Sequence, residues 1–330
     1  MIITRTPFRI SFFGGGSDYP IHFENHGGSV LSTTIDKYCY ISVRYLPPFF
    51  EHKSRIVWSK LESVKHHDEI QHPSAREILK FLNIDKGVEI HHDADLPARS
   101  GLGSSSSFSV GLIHALNALN GKIITKRQLA LDAVYIEQEK LKENVGCQDQ
   151  TAAAFGGFNK IEFGGHHKIA VHPISLSSGK LNLLQNNLML FFTGLARTAS
   201  EVAEEQIKNT RNKEYEIKSM AKMVDEAINI LNSGDIEDFG KLLHESWQIK
   251  KSLSSQISNS SIDEIYEAGL KSGAIGGKLL GAGNGGFILF FVKPELQNQV
   301  KEKLKNLLYV PFKFENLGSQ IIYYAPQENF

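Results

Sequence analysis

Apolar residues recur at helical spacing at Val110, Ile113, Leu116 and Leu119, directly behind a run of glycines and serines. That pattern predicts a helix entered from a tight loop. A second helix is predicted from Thr125, where Gln128 three residues on completes a capping-box signature, and it continues through Leu141. Short apolar runs predict strands at Cys39 to Tyr45, Gly87 to His91, Leu188 to Phe192, Phe287 to Val292 and Gln320 to Ala325. Helical patterning dominates from about Ser200 to Leu253, then again at Ile262 to Lys271 and Glu295 to Leu307. Strands and helices alternate without the regular βαβ rhythm of a doubly wound sheet, so the expected class is α+β. The polar stretch Ser175 to Lys180 is the expected boundary, dividing residues 1–180 from 181–330.

Composition narrows the partners. Lys plus Arg and Asp plus Glu both total 36, so no net field favours nucleic acid or an anionic membrane. Cys39 and Cys147 are the only cysteines, too few for a disulfide framework, and a reducing cytoplasm is expected. The N-terminal residues lack the apolar core of a signal peptide, and the longest apolar runs are strand-length.

Candidate chemistry gathers in glycine-rich segments. In Pro97-Ala98-Arg99-Ser100-Gly101-Leu102-Gly103-Ser104-Ser105-Ser106-Ser107, glycines let several backbone N–H groups point into one cavity, and the helix behind adds partial positive charge. With a serine capping the first turn, this is a polyphosphate cradle; a flexible linker would not lead at once into apolar helical positions. It is neither a Walker A nor a dinucleotide fingerprint: Gly277-Lys278 and Gly121-Lys122 lack the following hydroxyl, and Gly101-Leu102-Gly103 lacks a third glycine. A second segment, Arg9 to Asp18, sets a cation and a carboxylate around Gly14-Gly15-Gly16; an arginine there is ordinarily half-exposed or paired. In the third, Gly276 to Gly286, six of eleven residues are glycine, more than one turn requires.

Carboxylates add to this. Ala130, Val134, Glu137 and Leu141 share a helix face, so Glu137 either reaches solvent at the stripe's edge or needs a compensating cation, for which Mg²⁺ is suited. Asp149, ahead of a tract of small residues, is an N-cap or a catalytic group. Other strings fail. Asp238-Phe239-Gly240 has no kinase catalytic loop before it, and His244-Glu245-Ser246-Trp247-Gln248 lacks the second zinc-binding histidine. The pairs His66-His67, His91-His92 and His166-His167 are read as surface or strand residues.

The three glycine-rich segments, in this order, resemble the motifs of the GHMP small-molecule kinases. The strings Arg9 to Asp18, Gly101 to Ser107 and Gln148-Asp149-Gln150, with Thr193-Gly194-Leu195-Ala196-Arg197, are most similar to the D-glycero-D-manno-heptose 7-phosphate kinase branch, with L-fucokinase domains nearby. Galactokinases carry Glu-His where Gly15-Gly16 stand. The resemblance implies a ribosomal-S5-like, ATP-binding N-terminal domain over 1–180 and a ferredoxin-like C-terminal domain over 181–330. It also implies ATP as donor, Mg²⁺ as cofactor and a small-molecule sugar phosphate as partner, with a homodimer as a compatible assembly. Phosphorylation of the heptose C1 hydroxyl, feeding nucleotide-activated heptose synthesis for surface polysaccharide, is the implied activity.

Carried over by position, Gly101, Leu102, Gly103, Ser104, Ser105 and Ser106 would bind the nucleotide. Ser105 and Glu137, with Ser104 as a further candidate, would hold Mg²⁺. Asp149 would accept the sugar's proton, with Arg9 steadying it and the transferring phosphoryl, while Asp18, Gly15, Gly16, Arg197 and Gly283 would bind the acceptor. For the acceptor's phosphate, Arg197, Arg99, Lys180 and Arg44 are candidates in that order. Asn284, in place of a glycine, is expected to tolerate a left-handed backbone.

Overall fold

The computed structural model describes residues 1–98, 100–165, 168–194 and 199–326. The architecture is α+β in two lobes, each built on its own sheet. Strand Ile2–Phe13 pairs antiparallel along Gly28–Tyr45, and Val88–Ala94 continues the sheet toward Ser54–Val57 and Leu61–Val64. Pro7 sits mid-strand, where a register shift to Phe8 accommodates its missing N–H. Phe158–Gly164 and Lys168–Pro173 extend the sheet from the first half of Gly28–Tyr45. The second sheet is antiparallel, in the order Leu308–Tyr309, Leu188–Phe192, Phe287–Val292, Ala274–Leu279.

The 180/181 boundary falls between the two sheets, but the chain crosses back. Phe314–Glu315 pairs with Ile35 and Thr34, and Gln320–Tyr324 lies against Ile2 to Arg5 as an outer strand. The C-terminal ribbon therefore closes the first sheet, and residues 181–330 are not spatially separate. One apolar cluster also runs through both lobes, from Ile10 and Leu116 to Phe239 and Leu289. At its centre Phe12 and Phe13 meet Phe239 edge-on at 5.4 and 5.1 Å, which fixes one lobe against the other.

Helix Ser104–Leu119 packs on the first two strands and is buried along most of its length. Its start differs from expectation. Gly103, left-handed at φ 75°, occupies the N-cap position without a side-chain cap, and the serines lie inside the helix. Ser107 uses its hydroxyl to bond the Pro7 carbonyl (2.9 Å), which ties the helix to the strand. Helix Lys126–Tyr135 starts on Thr125 as predicted, with the Gln128 N–H donating to its hydroxyl at 3.2 Å. The Gln128 amide turns to Asp132 instead of closing the box. This helix runs into a single π turn, Ile136–Lys140, which carries Glu137. Among the described residues, no helix is long and apolar enough to cross a membrane.

Candidate active site

A cavity of about 320 Å³ opens between the lobes, where all three glycine-rich segments meet. Each segment has a steric reason for its glycines. A Cβ on Gly101 would stand 2.5 Å from the Leu280 carbonyl oxygen, and one on Gly281 would stand 2.4 Å from the Gly101 Cα. The loop and the third segment thus touch backbone to backbone, and the Phe287 N–H donates to the Ser100 carbonyl (3.2 Å). On its other side, the Arg9 N–H donates to the Leu102 carbonyl (3.0 Å). Leu102, expected beside the nucleotide, is instead buried in the core and does not line the cavity. Gly101, Gly103, Ser104, Ser105 and Ser106 line the wall, at the helix end whose first N–H groups have no intrahelical partner.

Arg9 and Asp149, 140 residues apart, form the core of the site. Nε and Nη2 of Arg9 both reach Asp149 Oδ1 at 2.7 Å, and Nη1 donates to the Gly101 carbonyl at 2.8 Å. Arg9 is only 4% exposed, so the paired reading of a strand arginine holds. Asp149 lies in the first turn of helix Gln148–Phe155, whose N-cap is Cys147, so capping is not its role. Its carboxylate stands across from Gly103, where a Cβ would lie 3.4 Å from Oδ2.

Asp18 is buried beneath the same cavity, accepting from the N–H groups of Gly16 (3.0 Å) and Gln148 (3.3 Å). Burial, then the nearby Asp149 charge, push its carboxyl above the usual range, while the backbone donors oppose them. Gly15 and Gly16 line the cavity beside it. Gly283 does not: it packs on Ile257, where a Cβ would lie 2.7 Å from the carbonyl oxygen, and Gly281 and Ala282 form the wall instead. Asn284 takes the left-handed conformation, φ 64°, as expected.

Glu137 is fully buried behind the loop. Its Oε2 accepts from the Ser106 hydroxyl (2.8 Å) and the Gln150 amide (2.5 Å), whereas Oε1 is buried with no hydrogen-bond partner. Burial pushes its pKa up to about 7, against the Ser109 hydroxyl and these two donors. The hydroxyl turned to Glu137 is therefore that of Ser106; Ser105 is exposed in the cavity. Among the described residues, no group of three or more His, Cys, Asp or Glu could hold a metal. An orphaned carboxylate oxygen with a serine hydroxyl does fit Mg²⁺, which keeps waters and phosphate oxygens as most of its ligands.

The cationic candidates fare differently. Arg197 and Arg99 lie outside the described residues. Lys180 instead hydrogen-bonds the Leu231 and Asn232 carbonyls, and Arg44 shares Glu89 with Arg55, so neither belongs to the cavity. Thr193, next to Gly194, bonds the Gly286 carbonyl at 2.8 Å, joining its strand to the third segment.

Sequence reasoning missed two lysines. Lys250 and Lys278 both line the cavity and are buried. Lys250 shares the apolar face of helix Ile236–Lys251 with Phe239, Leu243 and Trp247, the same signal that singled out Glu137. Lys278 stands inside the third glycine-rich segment, where its neighbours give no sign of burial or of a site.

The comparisons agree with this geometry. The family model described as the GHMP kinases N terminal domain matches residues 71–157, and the GHMP kinases C terminal model matches 223–310. A D-glycero-alpha-D-manno-heptose 7-phosphate kinase from Campylobacter jejuni is 31% identical, over 96% of this chain and 97% of that protein. An L-fucokinase/L-fucose-1-P guanylyltransferase from Bacteroides fragilis is 24% identical, over 88% of this chain and 34% of that protein. The crystal structure of a D-glycero-D-manno-heptose 1-phosphate kinase from Bacteroides thetaiotaomicron has the same fold. It superposes with a TM-score of 0.79 at 24% identity, covering 98% of this chain and all of that one. With both family models in order around a cavity built from the three glycine-rich segments, the chain belongs to the GHMP kinases, a family of ATP-dependent small-molecule kinases.

Proposed function

We propose that the chain is an ATP-dependent sugar kinase that phosphorylates the anomeric C1 hydroxyl of a D-glycero-D-manno-heptose 7-phosphate, giving the 1,7-bisphosphate. The observation that carries the reading is the Arg9–Asp149 pair facing the glycine loop. The choice of acceptor is supported by the 31% identical relative, which spans nearly the whole chain.

The loop amides and the start of helix Ser104–Leu119 receive the triphosphate. Arg9 holds the Asp149 carboxylate at the cavity, where it takes the proton of the attacking hydroxyl. An anomeric hydroxyl is more acidic than an ordinary alcohol, so a carboxylate is a sufficient base. Asp18, with Gly15 and Gly16, meets the sugar hydroxyls, and Arg197 is assigned to the 7-phosphate. Bound Mg²⁺, held by Glu137 with Ser106 and the neighbouring Ser105, would supply charge neutralisation on the β- and γ-phosphates.

ATP consumption across heptose 7-phosphate, free heptose, L-fucose, galactose and mevalonate tests the assignment. Turnover is expected on the first, with the free sugar much poorer. Equal rates on free and phosphorylated heptose, or a preference for L-fucose, would refute the substrate. Retention of Arg9, Asp149 and Glu137 in one site argues against a non-catalytic sensor.

A further inference from the structure

Arg9 is the cation expected to meet charge on the migrating phosphoryl group, but three of its five N–H donors are already engaged. Nε and Nη2 lie on Asp149, and Nη1 lies on the Gly101 carbonyl. Its geometry is that of a group that sets the base and braces the loop.

Lys250 is placed differently. It ends the buried face of helix Ile236–Lys251, is 7% exposed, and lines the cavity. Its ammonium donates to the Gly281 carbonyl, at the seam where Gly281 abuts Gly101 of the phosphate loop. An ammonium has three N–H donors, and this carbonyl is the one partner found among the described residues. Two donors are thus left without a protein partner among the described residues, on a side chain that lines the cavity. A charge held there needs a counter-ion. The carboxylates of Asp18 and Asp149 raise its pKa, but burial and the Arg9 charge outweigh them and bring it down to about 8. Lys278, alongside, donates to the Phe12 carbonyl at 2.7 Å. Burial, with Lys250 and Arg9 nearby, lowers it well below the ordinary lysine value. Lys250 is therefore the lysine of this pair better able to keep its charge, and an arriving anion would reinforce it.

We propose that Lys250 is a catalytic residue whose ammonium hydrogen-bonds the phosphoryl group in transit, while Arg9 positions Asp149. The proposal rests on the reading of this cavity as the phosphoryl-transfer site. In the step, the acceptor oxygen forms a bond to the γ-phosphorus. The bond from that phosphorus to the β,γ-bridging oxygen breaks, and its electron pair leaves on ADP. The acceptor's proton passes to Asp149, and Lys250 keeps its own protons, contributing charge and hydrogen bonds only.

The test uses the full-length chain with Lys250→Met and Lys250→Ala, each first checked for an unchanged thermal melt and ADP affinity. Lys250→Met is expected to lower kcat by about a hundredfold or more, the scale of losing one transition-state donor, with sugar KM within about threefold. Added ethylamine should restore part of the rate to Lys250→Ala but not to Lys250→Met, a response that a structural role would not give. Should both variants fail to fold, the wild-type kcat/KM–pH profile, which reports the free enzyme, decides, with a fall on the alkaline side above about pH 8 expected. A kcat within threefold of wild type would overturn the proposal. So would an increase in KM for the phosphorylated sugar alone, absence of amine rescue, or a flat alkaline profile. Failure of wild type on heptose 7-phosphate, with turnover of another sugar in the panel, would refute only the substrate, and Lys250 would then be assayed on that sugar.

Discussion

Replacing Glu137 by Gln should make the ligand-free protein more stable while impairing it as an enzyme. The carboxyl is fully buried, one of its oxygens has no partner, and its pKa rises from 4.5 to about 7. For an acid raised on folding, the native state binds the proton more tightly than the unfolded chain. The penalty is absent below pH 4.5, develops between 4.5 and 7, and is complete above 7. At pH 8 it amounts to about 3 kcal/mol. Glutamine is always neutral, and its amide oxygen can accept from Ser106 and Gln150 where Oε2 does now. Glu137→Gln should therefore raise the melting temperature by about 5 °C at pH 8. At pH 5.5 the gain should fall to less than half, roughly 1 kcal/mol.

Differential scanning fluorimetry at the two pH values, without nucleotide, measures this. A parallel titration of activity with Mg²⁺ should show a higher requirement in the variant, because the anionic oxygen is gone. A variant that melts at or below wild type at pH 8 would refute the desolvation argument. An unchanged Mg²⁺ titration would remove Glu137 from the metal site.

Asp149→Asn should keep the fold and lower kcat about a hundredfold or more, and a near-normal steady-state rate would exclude it as the base. Gly281→Ala would set a Cβ 2.4 Å from the Gly101 Cα at a backbone φ of 74°. It should push the third segment off the phosphate loop, raise KM for ATP and lower the melting temperature; unaltered ATP kinetics would show that the seam is not required. Gly146→Ala would place a Cβ 1.9 Å from Asp18 Oδ2. Its expected signature is a higher KM for the sugar at unchanged KM for ATP, read from initial rates with each substrate varied in turn.

The glycine and serine content of Pro97 to Ser107, ahead of apolar residues at helical spacing, already specified a loop running into a helix, because local backbone freedom and periodicity are written in neighbouring residues. Periodicity set Glu137 in an apolar stripe without deciding whether it reached solvent, and strand-length apolar runs located Leu188–Phe192 and Phe287–Val292. Which serine meets Glu137 was not legible. It depends on where the helix starts, and left-handed Gly103 sets the phase that turns Ser106 inward and leaves Ser105 exposed.

Nor could spacing join Arg9 to Asp149, or bring Lys250 and Lys278 to both. Those contacts cross the chain and depend on the two lobes docking through Phe12, Phe13 and Phe239. The return of Gln320–Tyr324 to the first strand was equally hidden, since strand pairing is decided by which edges tertiary packing leaves open, not by the strand's own residues. Local sequence thus determined the elements and their special backbone positions. Only the packed structure decided which charges share a cavity, because burial and the spacing between charges set how a lysine or a carboxylate behaves there.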